Sequence, residues 1–384
     1  MELTRESVIA LAQKNWNPIM RALRKQRGRR VSTGDWGCFN LPISTLPGRF
    51  APLSFLNSRG CRHAWAGGCT MCDYTCRFDK PSEDAMMQAA REMCDHIESV
   101  QCDQGKYILF NVNGIGSFFD ESEVPPTVRR YILSRIAAAV PKYEIVEMAT
   151  ESRLEFITEE NMAELRSILG ATVKVEMGFG IESTDPLVRE GCINKHLPEN
   201  WREKCELMHR YGVKICAHLQ LGAPLLTESE TLEDVYRSAV ELQDSGLADC
   251  IIIMSMNLKK GTLCGQLFEE GLYQLPSPWS VVELMRRLGA ERCRKIHFFG
   301  FITADPTTQV ASFCPDCATT LKRQILRFSC APSEHAAILG LADSLDCDCK
   351  REWGRRMDKK PGQSLEVRIA RTIERLALEY KVQL

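Results

Sequence analysis

APLSFLNSRGCRHAWAGGCTMC, residues 51–72, opens as an apolar, β-rich run and passes directly into a loop carrying Cys61, Cys69 and Cys72. Gly60, Gly67 and Gly68 let that loop turn tightly, so the sequence predicts a strand over 51–58 with three thiols gathered at its end. Thiolates are the ordinary ligands of iron–sulfur clusters, and three cysteines on one loop suit three irons of a [4Fe–4S] cube, leaving the fourth iron for a non-protein ligand. C-x2-C is equally a zinc signature, and Cys76 stands close by as a fourth ligand. The setting of the loop decides between them.

That setting is a repeating one. KYILFNVN (106–113), EIVEMATE (144–151), TVKVEMGFG (172–180), VKICAHLQL (213–221) and DCIIIMSMNL (249–258) are further nearly continuous apolar runs, as expected of parallel strands covered on both faces. Amphipathic helical patterns separate them near 82–100, 125–139, 158–169, 198–210 and 229–245. Six β/α repeats predict an α/β fold, either a partial parallel (β/α)6 barrel or a doubly wound sheet. Parallel strands deliver functional residues at their C-terminal edge, where the loop 61–72 lies, and this favours a cluster at an active site over a free-standing zinc knuckle.

Around this array, residues 1–50 read as an N-terminal extension, a helix followed by an irregular Gly/Pro-bearing segment. The barrel occupies 51–300, and 301–384 forms a C-terminal cysteine-rich domain. The last helix is capped by Ser364, with Leu365, Ile369, Ile373, Leu376 and Tyr380 forming a packing stripe.

Composition narrows the function. The chain has 384 residues, 44% hydrophobic and 26% charged, as in ordinary globular proteins. It lacks both a secretory signal and an apolar run of the ~18 residues that span a bilayer, so a cytoplasmic protein is expected. A net charge of −1 tilts the expected partner toward a small molecule and away from a large nucleic acid. Only RALRKQRGRR (21–30) is strongly basic, either the polar side of a helix or a phosphate-contacting arm. Eighteen cysteines in so long a chain point to metal binding and not to a disulfide scaffold. Cys205, Cys216 and Cys250 stand singly among apolar residues and read as small core residues.

A second cysteine group follows the array. SFCPDC (312–317) supplies Cys314 and Cys317, with Cys330, Cys347 and Cys349 downstream. An auxiliary [4Fe–4S] cluster is expected here, with Cys314, Cys317 and Cys330 as the first three ligands and Cys347 and Cys349 competing for a fourth; structural zinc is the alternative. Four thiolates would close the site, whereas three would keep an open iron.

The first loop resembles the cluster loop of radical S-adenosylmethionine (SAM) enzymes in a widely spaced C-x7-C-x2-C form, with Met71 where an aromatic residue usually precedes the last cysteine. This form resembles the branch containing the elongator catalytic subunit and the archaeosine-forming enzymes of tRNA modification. NVNGIGSFFDESEVP (111–125) resembles the glycine-rich SAM-contacting segment of that branch. ATESRLEFIT (149–158) is similar to its ESR segment, with Leu154 replacing the usual proline; GFGIESTDPLVREGCINKH (178–196) and GAPLLTESETLEDV (222–235) resemble segments that follow. These similarities span about 55–258 in the right order, each at a strand end.

The resemblance implies a SAM-bound [4Fe–4S] cluster on Cys61, Cys69 and Cys72, and a 5′-deoxyadenosyl radical that abstracts hydrogen from substrate. It implies that Gly114, Gly116 and Ser117 meet the methionyl end of SAM, and that Glu151, Arg153 and Glu182 meet its charged or ribose groups. His63 and His96 read as structural histidines. The implied substrate is a nucleoside, a nucleotide or a similar polar metabolite, with tRNA less favoured, and the electron donor a protein such as flavodoxin or ferredoxin. Radical C–N bond cleavage of an amino-acid adduct is one outcome; sulfur insertion from the auxiliary cluster is the other. Cobalamin-assisted methyl transfer and acetyl transfer are disfavoured, since too few residues flank the barrel. A non-enzymatic iron–sulfur carrier or zinc-binding protein is the expectation of a different class.

Overall fold

The computed structural model describes residues 3–26, 39–42, 50–56, 58–72, 81–99, 107–114, 116–301, 308–328 and 330–384. Its sheet runs in chain order: β1 (Phe39–Pro42), β2 (Phe50–Leu56), β3 (Tyr107–Gly114), β4 (Ile145–Glu151), β5 (Lys174–Glu182), β6 (Val213–Leu221), β7 (Cys250–Ser255) and β8 (Ile296–Phe299). β1 is antiparallel to β2, and every later pair is parallel. Parallel neighbours need crossovers, supplied by helices Glu83–Ser99, Pro126–Ala137, Glu159–Leu169, Trp201–Arg210, Glu228–Asp244 and Pro278–Cys293. The result is a half-barrel in which β2 to β7 are the six strands expected from the sequence, and β8 lengthens the array by one. Its four residues are too short to announce themselves as an apolar run.

The strands are less uniformly covered than their apolar composition predicts. Along β4 and β7 buried residues alternate with half-buried ones. Val146, Ile251 and Ile253 are buried in the main core, whereas Glu147, Glu151 and Met254 line the cavities of the inner face. An open half-barrel leaves that inner face wide enough for a ligand, and the alternation follows.

A second core joins the two ends of the chain. Trp16, Ile19 and Met20 of helix Arg5–Gln26 pack with Val188, Ile369 and Ile373, and Trp16 Nε1 donates to the Gly191 carbonyl at 2.6 Å. Ser364 caps helix Leu365–Glu379 as expected, accepting from the Val367 N–H. Among the described residues no helix is long and apolar enough to cross a membrane.

Glu190 links helix Arg5–Gln26 to this core by accepting from Gln13 Nε2 at 2.5 Å, with His196 and Arg189 on its other sides. Burial alone would raise its carboxyl, but the hydrogen bonds from His196 and Gln13 and the charge of Arg189 outweigh it and hold it at about 2. A depressed carboxyl stabilises the fold above its unfolded value of about 4.3, and that contribution fades as pH falls toward the folded value. Glu190→Gln is therefore expected to lower the urea midpoint at pH 6, and the gap from wild type should narrow as pH drops from about 5 to about 3. A gap constant across that range would count against this reading.

Candidate active site

The loop after β2 begins with Cys61, makes one helical turn over Arg62–Trp65, and returns through Cys69 and Cys72. Its hydrogen bonds come from three directions. From the N-terminal helix, Arg24 donates to four of its carbonyls: Ala64 (2.7 Å), Gly68 (2.9 Å), Cys69 (2.7 Å) and Cys72 (3.0 Å). From the segment after β5, the Asn194 carbonyl accepts from Cys69 N–H and Ile193 from Thr70 N–H, while Thr70 Oγ1 donates to Cys192 O. From the segment after β7, Leu263 N–H donates to Thr70 O at 2.7 Å. Cys69 itself adopts a left-handed φ of 51°, a conformation that a non-glycine residue keeps only where its surroundings fix it.

The glycines of the loop accommodate protein. Gly67 has φ of +95°, and a Cβ there would stand 2.2 Å from Asn17 O of the N-terminal helix; one on Gly68 would meet the His63 ring. Gly67→Ala is expected to cost about 3 kcal/mol, by steric overlap added to backbone strain. Gly170, with φ of +68° and open space around it, is the matched control and should lose only about 1 kcal/mol as Gly170→Ala. Equal losses in urea unfolding would show that the helix does not press on the loop.

Cys61, Cys69 and Cys72 line a cavity of about 300 Å³ at the C-terminal edge of the strands. Its rim is strongly ionic. Arg153, just past β4, donates Nη1 to Cys61 Sγ at 3.3 Å and Nη2 to Asp120 at 3.0 Å and Glu123 at 3.2 Å. Glu123 in turn accepts the Arg62 N–H at 2.7 Å, so the carboxylates that orient Arg153 also fix the start of the cysteine loop. Across the cavity Lys195 lies 3.5 Å from Glu182. Burial pulls the Lys195 ammonium down, but Cys69, Glu182 and Cys61 outweigh it and raise it, so it stays charged. Burial pushes the Cys61 and Cys69 thiols up while Arg153 and Lys195 pull them back. Cationic side chains beside thiols on a tightly held loop fit a thiolate-ligated cluster.

The residues expected to meet SAM divide into two groups. Gly116, Glu151, Arg153 and Glu182 line the cavity, and Glu182 is buried with a left-handed φ of 66° that turns its carboxylate to Lys195. Gly114 ends β3. Ser117 is buried: its N–H donates to Glu123, and its hydroxyl accepts from Arg153 N–H at 3.1 Å. Its N–H is thus committed to Glu123, while its hydroxyl oxygen takes one bond from the backbone after β4. A Cβ on Gly116 would collide with Glu123 Oε2 and approach Cys61 Cα, which explains the glycine by the fit of the two loops. His63 lies at the cavity, held neutral at about 4 by burial and by Lys195, with Nε2 3.1 Å from the Asn194 carbonyl. Cys76, Arg27 to Arg30 and the His96 side chain lie outside the described residues.

Arg24, Asp120, Glu123 and Lys195 are site residues that sequence reading missed. The last three sit inside quoted segments, but nothing in their spacing says that they converge. Arg24 sits in the basic stretch read as a polar helix face or a phosphate arm; the fold turns it onto loop carbonyls.

In the C-terminal region, Cys314, Cys317, Cys347 and Cys349 bring their sulfurs all within 4.8 Å of one another. Cys330, expected among the first three ligands, is placed elsewhere: its thiol lies 3.2 Å from Ile296 O and 3.6 Å from His297 Nδ1. The C-x2-C and C-x-C pairs each open a helix, which aims both pairs at one point, whereas Cys330 is drawn to the end of the sheet. Cys205 is buried in the core as expected. Cys216 is buried as expected and Cys250 half-buried, but the two do not stand singly: they are register partners on β6 and β7, and with Glu176 they form a second compact group on the inner face.

The chain is similar in sequence and in structure to several known proteins. The chain is 32% identical over 305 residues to archaeosine synthase subunit beta of Methanosarcina acetivorans, covering 77% of this chain and 82% of that protein. The protein of the same name from Thermococcus kodakarensis is 29% identical over 247 residues, covering 63% and 73%. Among solved structures, methylornithine synthase aligns over 89% of this chain and 97% of its own at 12% identity, with a TM-score of 0.45. Elp3 of Methanocaldococcus infernus aligns over 57% and 52% at 14% identity, with a TM-score of 0.40. No protein-family profile matches the chain.

Proposed function

We infer what this chain does from the family to which it belongs, that of archaeosine synthase subunit beta within the radical SAM superfamily. It is a radical SAM enzyme, and it carries cysteine groups able to hold metal clusters. Beyond that, we propose that it acts on a nucleoside-like substrate bound within the half-barrel, and that the reaction is C–N bond cleavage of an amino-acid adduct. The observation that carries the proposal is the convergence of Cys61, Cys69, Cys72, Arg153, Lys195 and Glu182 on one cavity at the C-terminal edge of the strands.

In this reading Cys61, Cys69 and Cys72 hold the cluster. With SAM bound and one electron taken from the external donor, the cluster would supply the chemistry that splits SAM into methionine and a 5′-deoxyadenosyl radical able to take hydrogen from an unactivated carbon. Arg153 and Lys195 keep positive charge beside the thiolates and offer it to a carboxylate. Glu151 and Glu182 present acceptors on the same rim for an ammonium or hydroxyl group. His218 and Gln220 of β6, with Asn257, give the cavity polar partners suited to a base or sugar, while Met254 and Met256 exclude water from one side. The cytoplasm, where thiols stay reduced, suits such a protein, with a flavodoxin or ferredoxin as electron donor.

The sulfur-insertion reading asks for an auxiliary cluster with an open iron. Four thiols drawn together at Cys314, Cys317, Cys347 and Cys349 offer a complete ligand set, which supports the C–N cleavage reading instead. The test is deuterium transfer. The reconstituted enzyme is given SAM, reductant and a deuterated amino-acid adduct of a nucleoside, either free or within tRNA. Deuterium in 5′-deoxyadenosine with either form is expected, and the preferred form identifies the natural partner. SAM cleavage without deuterium transfer from either would overturn the substrate class.

A further inference from the structure

The quartet beside the barrel has a size, and that size discriminates between metals. Cys314 and Cys317 flank the start of helix Pro315–Thr319; Cys347 and Cys349 flank the start of helix Asp348–Asp358. Cys317 Sγ lies 3.4 Å from Cys347 Sγ and 3.6 Å from Cys349 Sγ, and the last two are 3.4 Å apart. Zinc–thiolate bonds of about 2.3 Å in a tetrahedron put neighbouring sulfurs about 3.8 Å apart. These three sulfurs at 3.4–3.6 Å need to open by only a few tenths of an ångström to receive one ion, and Cys314 Sγ lies within 4.8 Å of each of them. A four-iron cube has its irons and sulfides between the thiolates, so its ligands must stand much further apart.

The chain carries its own comparison. Cys61, Cys69 and Cys72 line one cavity, yet they are not among the described groups whose ligand atoms all fall within 4.8 Å, whereas the quartet is. The cysteine loop and the quartet thus differ in size, and of these two only the quartet matches a single ion.

We propose that Cys314, Cys317, Cys347 and Cys349 bind one tetrahedral zinc ion, and that this ion staples the C-terminal helices to the outside of the barrel. The surroundings are those of a closed structural site. Cys317 and Cys347 are buried, and Trp279 Nε1 donates to Cys349 Sγ at 3.2 Å, a contact that suits a metal-bound thiolate. None of the four lines the cavity shared by Cys61, Cys69 and Cys72. The helix that Cys347 and Cys349 begin is fastened onward to the barrel: Trp353 Nε1 donates to Ser280 Oγ at 2.9 Å, and Arg356 pairs with buried Glu228 and donates to Leu275 O at 2.7 Å. Folding on the metal would therefore order helix Asp348–Asp358 against helix Pro278–Cys293.

The test is a metal inventory of the full chain, purified anaerobically and reconstituted with iron and sulfide. About one zinc and about four irons per chain are expected, with zinc absorption fine structure showing four sulfurs at about 2.3 Å. The Cys317→Ser/Cys347→Ser double variant should lose the zinc, keep the iron, and melt at a lower temperature. If that variant fails to fold, titrating wild type with a mercurial thiol reagent should release zinc in a single step as the quartet is modified. About eight irons with no zinc, or zinc that a mild chelator strips without changing the thermal midpoint, would overturn the proposal. Neither outcome depends on SAM cleavage, so failure here is distinguishable from failure of the proposed reaction.

Discussion

Replacing Cys61, Cys69 and Cys72 together by alanine is expected to lower 5′-deoxyadenosine formation by about three orders of magnitude or more, to background. The thermal midpoint should move by only a few degrees. The two halves follow from different parts of the site. Reductive cleavage needs a ligated cluster, and no other described cysteine lines the cavity. The shape of the loop depends on backbone groups: Arg24 on four carbonyls, Asn194 and Ile193 on two N–H groups, and Leu263 on Thr70. Alanine keeps every one of those bonds. Cys69 and alanine also share the cost of a left-handed φ, so the exchange adds little strain. The variant should lose about four irons on reconstitution and keep its circular dichroism spectrum. A triple variant that still forms deoxyadenosine would remove the loop from the chemistry.

Arg24→Ala is expected to act in the opposite sense, leaving every thiol present and spoiling their arrangement. Hydrogen bonds from a charged group contribute about 1.5–3 kcal/mol each and do not add fully, so losing four should cost about 3 kcal/mol or more in holding the loop. Iron retained after reconstitution should fall to less than about half of wild type, and the remaining cluster should bleach several-fold faster in air. Arg24→Lys should recover little, because an ammonium lacks the planar fork that reaches several carbonyls at once. The exposed neighbour Arg21 is the control, and Arg21→Ala should leave iron content unchanged. Full iron retention in Arg24→Ala would mean that the contacts after β5 and β7 suffice.

These contrasts show where the sequence was readable and where it was not. Strands with apolar runs of six to nine residues, such as β5 and β6, were legible because burial under helices writes itself into composition. β8 was not, because four residues carry no period. The cysteine loop was legible because ligand chemistry restricts the residue type. Its supports were not: Arg24 lies 40 positions or more from the carbonyls it holds, and Asn194 more than 120 from His63. Cys330 was misplaced for the same reason, since proximity in sequence gave no direction for its side chain, whereas helix starts aimed the other four at one point. Ser117 stood in a segment expected to meet SAM, and only the fold shows its N–H given to Glu123 and its hydroxyl accepting from the Arg153 N–H.

The most direct test of the radical SAM assignment is the fate of SAM itself. The wild-type chain, reconstituted without oxygen and reduced with dithionite, is incubated with SAM, and the products are separated and weighed. Methionine and 5′-deoxyadenosine in equal amounts, absent from the Cys61/Cys69/Cys72→Ala variant, are the expected result. Intact SAM after prolonged reduction, with or without a nucleoside adduct, would contradict it.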